Sequence, residues 1–193
     1  MGMWLGRGRK ARRCYGFDEI ALVPGSVTIN PNEVDTSWQM GNKKYRIPII
    51  ASAMDGVVDV NFAVLMSKFG GLAALNLEGV QTRYDNPHDV LTKIANAGLE
   101  EVTRLLQTVY KQPIKEKLVS KRVKEIKKKG GVACVSSIPQ RAESFGKIAQ
   151  DAGADIFIVQ STVTTVRHIS TEYKTLDFYK FCKTMKIPVI IGN

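Results

Sequence analysis

From Ile47 onward the chain alternates short apolar runs of strand length with stretches patterned for helix, and this limits the folds open to it. The run Ile47-Pro-Ile-Ile-Ala-Ser52 carries its proline near the beginning, where a strand tolerates the missing N–H. After it, Phe62, Val64, Leu65, Met66 and Phe69 fall largely on one face of a helix. Leu72-Ala-Ala-Leu75, Val132-Ala-Cys-Val135, Ile156-Phe-Ile-Val159 and Ile187-Pro-Val-Ile-Ile191 are the later apolar runs, each separated from the next by helical sequence. Unbroken apolar runs imply strands covered on both faces, which is the mark of a parallel sheet with helical crossovers. The pattern holds about four βα units plus a fifth strand. A doubly wound sheet and part of a (β/α)₈ barrel fit it equally well.

Punctuation between the runs is clear. Asp59 is placed to cap the first helix, and Gly70-Gly71 to end it. Between residues 86 and 129 the chain reads as helix in pieces, with Pro87 and Pro113 both placed to open a helix. Residues 124–129 read as its solvated, cationic end, stopped by Gly130-Gly131. Ser136 or Ser137 is expected to cap the helix that starts near Pro139 and repeats Ala142, Phe145, Ile148, Ala149 and Ala152 on one face. A further helix is expected over residues 176–185.

A complete (β/α)₈ barrel needs about 250 residues, and this chain has 193. With 44% apolar and 24% charged residues it has material for a real core. No run of about 18 apolar residues occurs, so no membrane helix is expected. Cys14, Cys134 and Cys182 are far apart and form no CxxC pair, which reads as reduced thiols in a cytoplasmic protein. The net charge of +10 favours anionic partners, with much of the excess in residues 7–13 and 121–129. Residues 1–16 are expected to be a basic, solvated tail lacking the apolar core of a signal peptide, and residues 17–193 the folded domain.

No dinucleotide fingerprint, P-loop or nucleophile elbow is present, and His88 and His168 read as ordinary surface or core histidines. Ligands of α/β folds collect at the C-terminal ends of the strands. Ser52, Met54 and Asp55 follow the first strand and offer a hydroxyl, a thioether and a carboxylate to a polar ring. Gln160-Ser-Thr-Val-Thr-Thr165 follows the fourth, and Gly192-Asn193 the fifth. The same residue types also serve as turn and cap residues.

Phe17-Asp-Glu-Ile-Ala-Leu-Val-Pro-Gly25 resembles the N-terminal signature of the IMP dehydrogenase and GMP reductase family. Ile47-Pro-Ile-Ile-Ala-Ser-Ala-Met-Asp55 is similar to that family's first strand and loop, and Gly70-Gly71-Leu72 to its entry to the second. Gly153-Ala-Asp155 and Ile190-Ile-Gly-Asn193 continue the resemblance in order. It implies the N-terminal part of a (β/α)₈ barrel that binds a purine nucleoside monophosphate at its strand ends. A cysteine would attack C2 of the purine while hydride moves to or from NAD or NADP, and the resemblance leaves room for a monovalent cation in the full-length protein. Ser52 and Met54 would lie beside the base, Asn193 near the nucleotide, and Gln160, Ser161 and Thr162 on the cofactor side. Gln160 stands where the family usually has an aspartate. A full-length homo-oligomer, a tetramer, is implied as well.

The interval between residues 76 and 131 is too short for the paired CBS domains of typical IMP dehydrogenases, and Asn76-Leu77 stands where GMP reductases carry His-Lys. The chain therefore looks most like the CBS-less IMP dehydrogenase-related proteins of bacteria. The cysteine loop of the family follows a sixth strand, so this chain is expected to be catalytically inactive alone. Cys134 reads as core; Cys14, beside Arg12 and Arg13, could have a lowered pKa but precedes the barrel. The expected function is IMP to XMP conversion with NAD, within GMP biosynthesis. The alternatives are NADPH-dependent conversion of GMP to IMP, or a non-catalytic fragment that binds nucleotide or, less in keeping with the lack of aromatics among its basic clusters, nucleic acid. An open sheet edge at residues 187–191 is expected to need a partner that closes the barrel.

Overall fold

The computed structural model describes residues 3–162, 165, 169–172 and 175–192. Two compact units emerge, Met1–Asp35 and Thr36–Asn193. In the first, β1 (Met3–Leu5) and β2 (Arg9–Ala11) form an exposed antiparallel hairpin within the basic N-terminal stretch. Beyond the hairpin run two 3-10 turns, Phe17–Glu19 and Pro31–Glu33, with Phe17, Leu22 and Val23 exposed.

The second unit holds a five-stranded parallel sheet in the order β5 (Ile50–Ala51), β6 (Leu72–Asn76), β7 (Cys134–Ser137), β8 (Ile156–Gln160) and β9 (Val189–Gly192). Spatial order follows chain order without reversal. A doubly wound sheet reverses at its switch point and carries helices on both faces. Here one face packs on helices and the other does not, so the sheet is a part of a (β/α)₈ barrel.

Ala73, Leu75, Val135, Phe157 and Val159 point outward into one cluster with Val64 of α1 (Val60–Phe69) and Val123 of α5 (Glu116–Lys128). Phe145 of α6 (Pro139–Asp151) and Phe181 of α7 (Phe178–Thr184) complete it. Leu72, Ala74, Cys134, Ile156 and Ile158 point inward and meet Tyr45. Both faces are therefore apolar for different reasons, helices outside and barrel interior inside. Tyr45 belongs to a hairpin, β3 (Trp38–Met40) and β4 (Lys43–Tyr45), which the sequence pattern does not reveal; its ring stacks on Trp38 at 4.9 Å. The hairpin sits at the N-terminal ends of the strands, where Lys43 reaches Asp155.

Asp59 caps α1 as expected, its side chain accepting from the Phe62 amide at 2.7 Å, and Gly70 closes the helix at φ 89°. Asp59→Ala is expected to lower stability by about 1 kcal/mol, read as a fall in the urea midpoint at unchanged slope.

Several boundaries differ from expectation. The first strand keeps only Ile50–Ala51 of the run over residues 47–52. Ser136 and Ser137 are buried inside β7 and cap nothing; Ile138 precedes α6, with Pro139 in its first turn. Between β6 and α5 lie α2 (Val80–Arg83), α3 (Pro87–Ala95) and α4 (Leu99–Lys111). Pro87 opens α3 as expected, but Pro113 opens nothing, because α5 starts at Glu116 after Lys115 N donates to Thr82 O. The basic run near 121–129 is not simply solvated. Arg122 is buried and donates to Gln81 O, Tyr84 O and Asp85 O, while Lys127 pairs with Asp155. Among the described residues no helix is long and apolar enough to cross a membrane.

Candidate active site at the strand ends

Each strand of a parallel sheet delivers the residues after it to the same end, and here those residues enclose a cleft of about 540 Å³. This size suits a small organic ligand. One wall is the segment after β5: Ser52, Ala53 and Met54. The opposite wall is the end of β8 and the segment after it: Gln160, Ser161 and Thr162. Ile50, Ala74, Ile138, Ile158 and Ile190 supply apolar lining, together with the backbone at Gly192. The structure thus gathers Ser52, Met54, Gln160, Ser161 and Thr162 on one cleft, although Met54 and Gln160 are 106 positions apart in the chain. Asn193 and His168 lie outside the described residues.

Among the described residues, the lining of the cleft is uncharged. The polar side chains that these residues bring to it are hydroxyls and one amide, set among aliphatic side chains. That combination accepts a flat heterocycle with hydroxylated appendages. Met54 is well exposed, leaving its thioether free to lie against a ring.

Asp55 behaves differently from its expectation. It does not line the cleft: its Oδ2 accepts from the Val80 amide at 2.8 Å and from the Tyr110 hydroxyl at 2.6 Å. Its Oδ1 is buried with no hydrogen-bond partner and lies against Gly79, where an added Cβ would stand 1.8 Å away. Burial, then the Asp55 carboxylate, pushes the Tyr110 phenol well above its ordinary pKa, so it remains a donor. Arg83 lies 5.7 Å from the Tyr110 ring and donates to Glu78 O and Gln112 O. Beside it, Ser137 Oγ donates to Glu78 Oε1 at 2.8 Å, and Arg141 pairs with the same carboxylate at 3.3 Å. This polar network spans the loops after β5, β6 and β7, and no local sequence pattern announces it.

None of the three cysteines lines the cleft. Cys134 is fully buried in β7, where burial and then the Asp155 charge push its thiol up to about 12. Cys14 and Cys182 are exposed.

The fold is part of a (β/α)₈ barrel with an open cleft at the C-terminal ends of its strands. A sequence profile of the IMP dehydrogenase / GMP reductase domain matches residues 14–193, and the chain belongs to that family. It is 28% identical over 194 aligned residues to an uncharacterized oxidoreductase of Mycolicibacterium smegmatis, covering 98% of this chain and 52% of the relative. An uncharacterized oxidoreductase of Mycobacterium tuberculosis is similar at 29% identity with the same coverage. An inosine-5'-monophosphate dehydrogenase of Methanocaldococcus jannaschii is 32% identical over 74 residues, 38% of this chain and 15% of that protein. In structure, an IMP dehydrogenase/GMP reductase-like protein from Corynebacterium glutamicum superposes with a TM-score of 0.88 at 29% identity, over 100% of this chain and 52% of the other. The chain spans about half the length of the full-coverage relatives it matches.

Proposed function

We propose that this chain forms the purine-nucleotide face of an oxidoreductase of the IMP dehydrogenase type, which converts IMP, NAD and water to XMP, NADH and a proton. What carries the reading is the single cleft that joins Ser52 and Met54 on one wall to Gln160, Ser161 and Thr162 on the other. A purine fits the apolar lining, with Met54 against the ring and the Ser52 hydroxyl in reach of its polar edge. The opposite wall fits the ribose of a nicotinamide cofactor, because the amide of Gln160 and two hydroxyls can both donate and accept. When bound, the nicotinamide supplies or takes the hydride. Gln160 cannot clasp a ribose diol as a carboxylate does, so these residues orient the cofactor more weakly than the family's usual aspartate. Asn193 is assigned to the nucleotide side.

A thiolate attack on C2 splits the exchange into two easier steps, and no cysteine at the cleft serves it here. The nucleophile is therefore assigned to chain outside these residues, and the 193 residues alone bind without turnover. The exposed apolar side chains of Phe17, Leu22 and Val23 support burial in a homo-oligomer, a tetramer for the full-length protein. The site is assigned to the cytoplasm.

The test is to supply the chain, alone and joined to the second half of a relative's barrel, with IMP plus NAD and with GMP plus NADPH, following nicotinamide absorbance. Turnover of IMP only by the joined protein is the expected result. Consumption of NADPH with GMP would reverse the assigned direction and make the protein a GMP reductase. Binding of polyanions, abolished by salt and without base selectivity, would move the function to nucleic acid.

A further inference from the structure

The wall of the cleft that carries Ser52 and Met54 is poorly anchored by its own strand. β5 is two residues long and pairs in register with β6 through Ile50 and Ala51, with Ile47 N donating to Gly70 O and Leu72 N to Ile49 O just before it; no ladder bond reaches Ser52 or Met54. The turn that follows fixes its own shape: Met54 N donates to Ser52 O at 2.8 Å, and Val57 N and Val58 N both donate to Met54 O at 2.9 Å. These bonds are local and do not set where the turn stands. Two side chains do. Val58 is buried in the outer core, and Asp55 crosses to Val80 N and to the Tyr110 hydroxyl.

Tyr110 comes from α4, the second helix of an arm inserted between β6 and α5. The arm itself is lightly held: α3 buries no residue and α4 only Val109. Gly79 is required for the contact, since any side chain there would strike both oxygens of the Asp55 carboxylate.

We propose that Tyr110 is a positioning residue for the cleft, acting through Asp55 to hold the turn of Ser52 and Met54, so that the α3–α4 arm sets how tightly a purine nucleotide is taken. The proposal rests on the purine reading of the cleft. Tyr110 does not touch the cleft itself; the hydroxyl acts at a distance of one carboxylate. Because Val58 remains as a second anchor, loss of the hydroxyl loosens the turn without unfolding the sheet.

The experiment compares the wild-type chain with Y110F and with T108A, a control on the same helix whose hydroxyl donates to Arg104 O within that helix. Hydrogen exchange is read at the Val57, Val58 and Val80 amides, and IMP and GMP are titrated in parallel. Y110F is expected to speed exchange at Val57 and Val58 by about tenfold, the low end for a hydrogen bond to a charged group, and to weaken IMP or GMP binding by a similar factor. Exchange in β7 and β8 stays unchanged, and T108A behaves as wild type. G79A, which displaces the carboxylate sterically, reproduces the exchange effect. Wild-type exchange and affinity in Y110F, or equal losses in T108A, would overturn the proposal. A wild-type chain that takes neither nucleotide sinks the purine reading and the claim on affinity together, while the exchange rates still decide whether the clasp holds the turn.

Discussion

Truncating Phe157 to alanine is expected to cost about 3–5 kcal/mol, the range for removing a buried aromatic ring from a packed core. The ring is completely buried in the middle of β8, on the outward face, and meets Phe181 of α7 edge-on at 5.9 Å. Phe181 in turn lies against Gly146 of α6, where an added Cβ would be only 3.1 Å from the ring. The site has little slack on one side, so the surrounding helices cannot collapse fully into the space. Domains of this size are stable by about 5–15 kcal/mol in total, and such a loss consumes much of that. The functional consequence follows from position: β8 carries Gln160 at its end. Urea unfolding at constant slope would report the loss, and a change under about 1 kcal/mol would show that this interface is not the core.

The second large effect sits just before the same strand. Asp155 accepts from Lys43 at 2.5 Å, from Lys127 at 2.7 Å and 2.9 Å, and from the Ala133 amide at 2.8 Å. It joins the β3–β4 hairpin, α5 and the approach to β7 at one point. Burial alone would raise its pKa, but the donors from Lys127, Lys43 and Ala133 outweigh it and hold the carboxyl below its ordinary value. Asp155→Asn is expected to cost about 2–3 kcal/mol, below the full penalty for breaking a buried pair because both lysines can still reach water. A carboxyl depressed by folding stabilises above its unfolded pKa, about 3.9, and that contribution is lost as pH falls through the lower, folded value. Wild type therefore loses stability at acid pH through this group and the asparagine variant does not. Parallel acid profiles for the two proteins would contradict the assignment.

Much of the architecture was legible because its signals are local. Apolar runs bounded by glycine, Asp59 before α1 and Pro139 at the start of α6 each act within a few residues. The end of β8 was readable for the same reason, and the rule that parallel strands deliver ligands to one end put residues 52, 54 and 160–162 together before the cleft was visible. What stayed hidden depends on distant partners. The β3–β4 hairpin has strands of only three residues: Trp38 and Met40 turn inward around an exposed Gln39, too short an alternation to stand out, and Lys43 reaches for an aspartate 112 residues away. Ser136 and Ser137 look like caps because small hydroxyl residues usually are; in β7 one faces the barrel interior and the other donates to Glu78. Asp55 looked like a ligand group because it follows a strand, yet its partner Tyr110 lies 55 residues on. Periodicity also could not separate a doubly wound sheet from a barrel; strand order and the one-sided placement of helices did.

Whether the cleft takes a purine nucleotide is tested most directly by labelling the methionine methyls and titrating IMP and GMP. Met54 lies on the cleft wall, whereas Met66 packs against the outer core. A saturable shift of the Met54 methyl, insensitive to moderate salt and absent for Met66, is the predicted result. Saturable nucleotide binding that leaves Met54 unmoved, or binding that vanishes with salt, would contradict it.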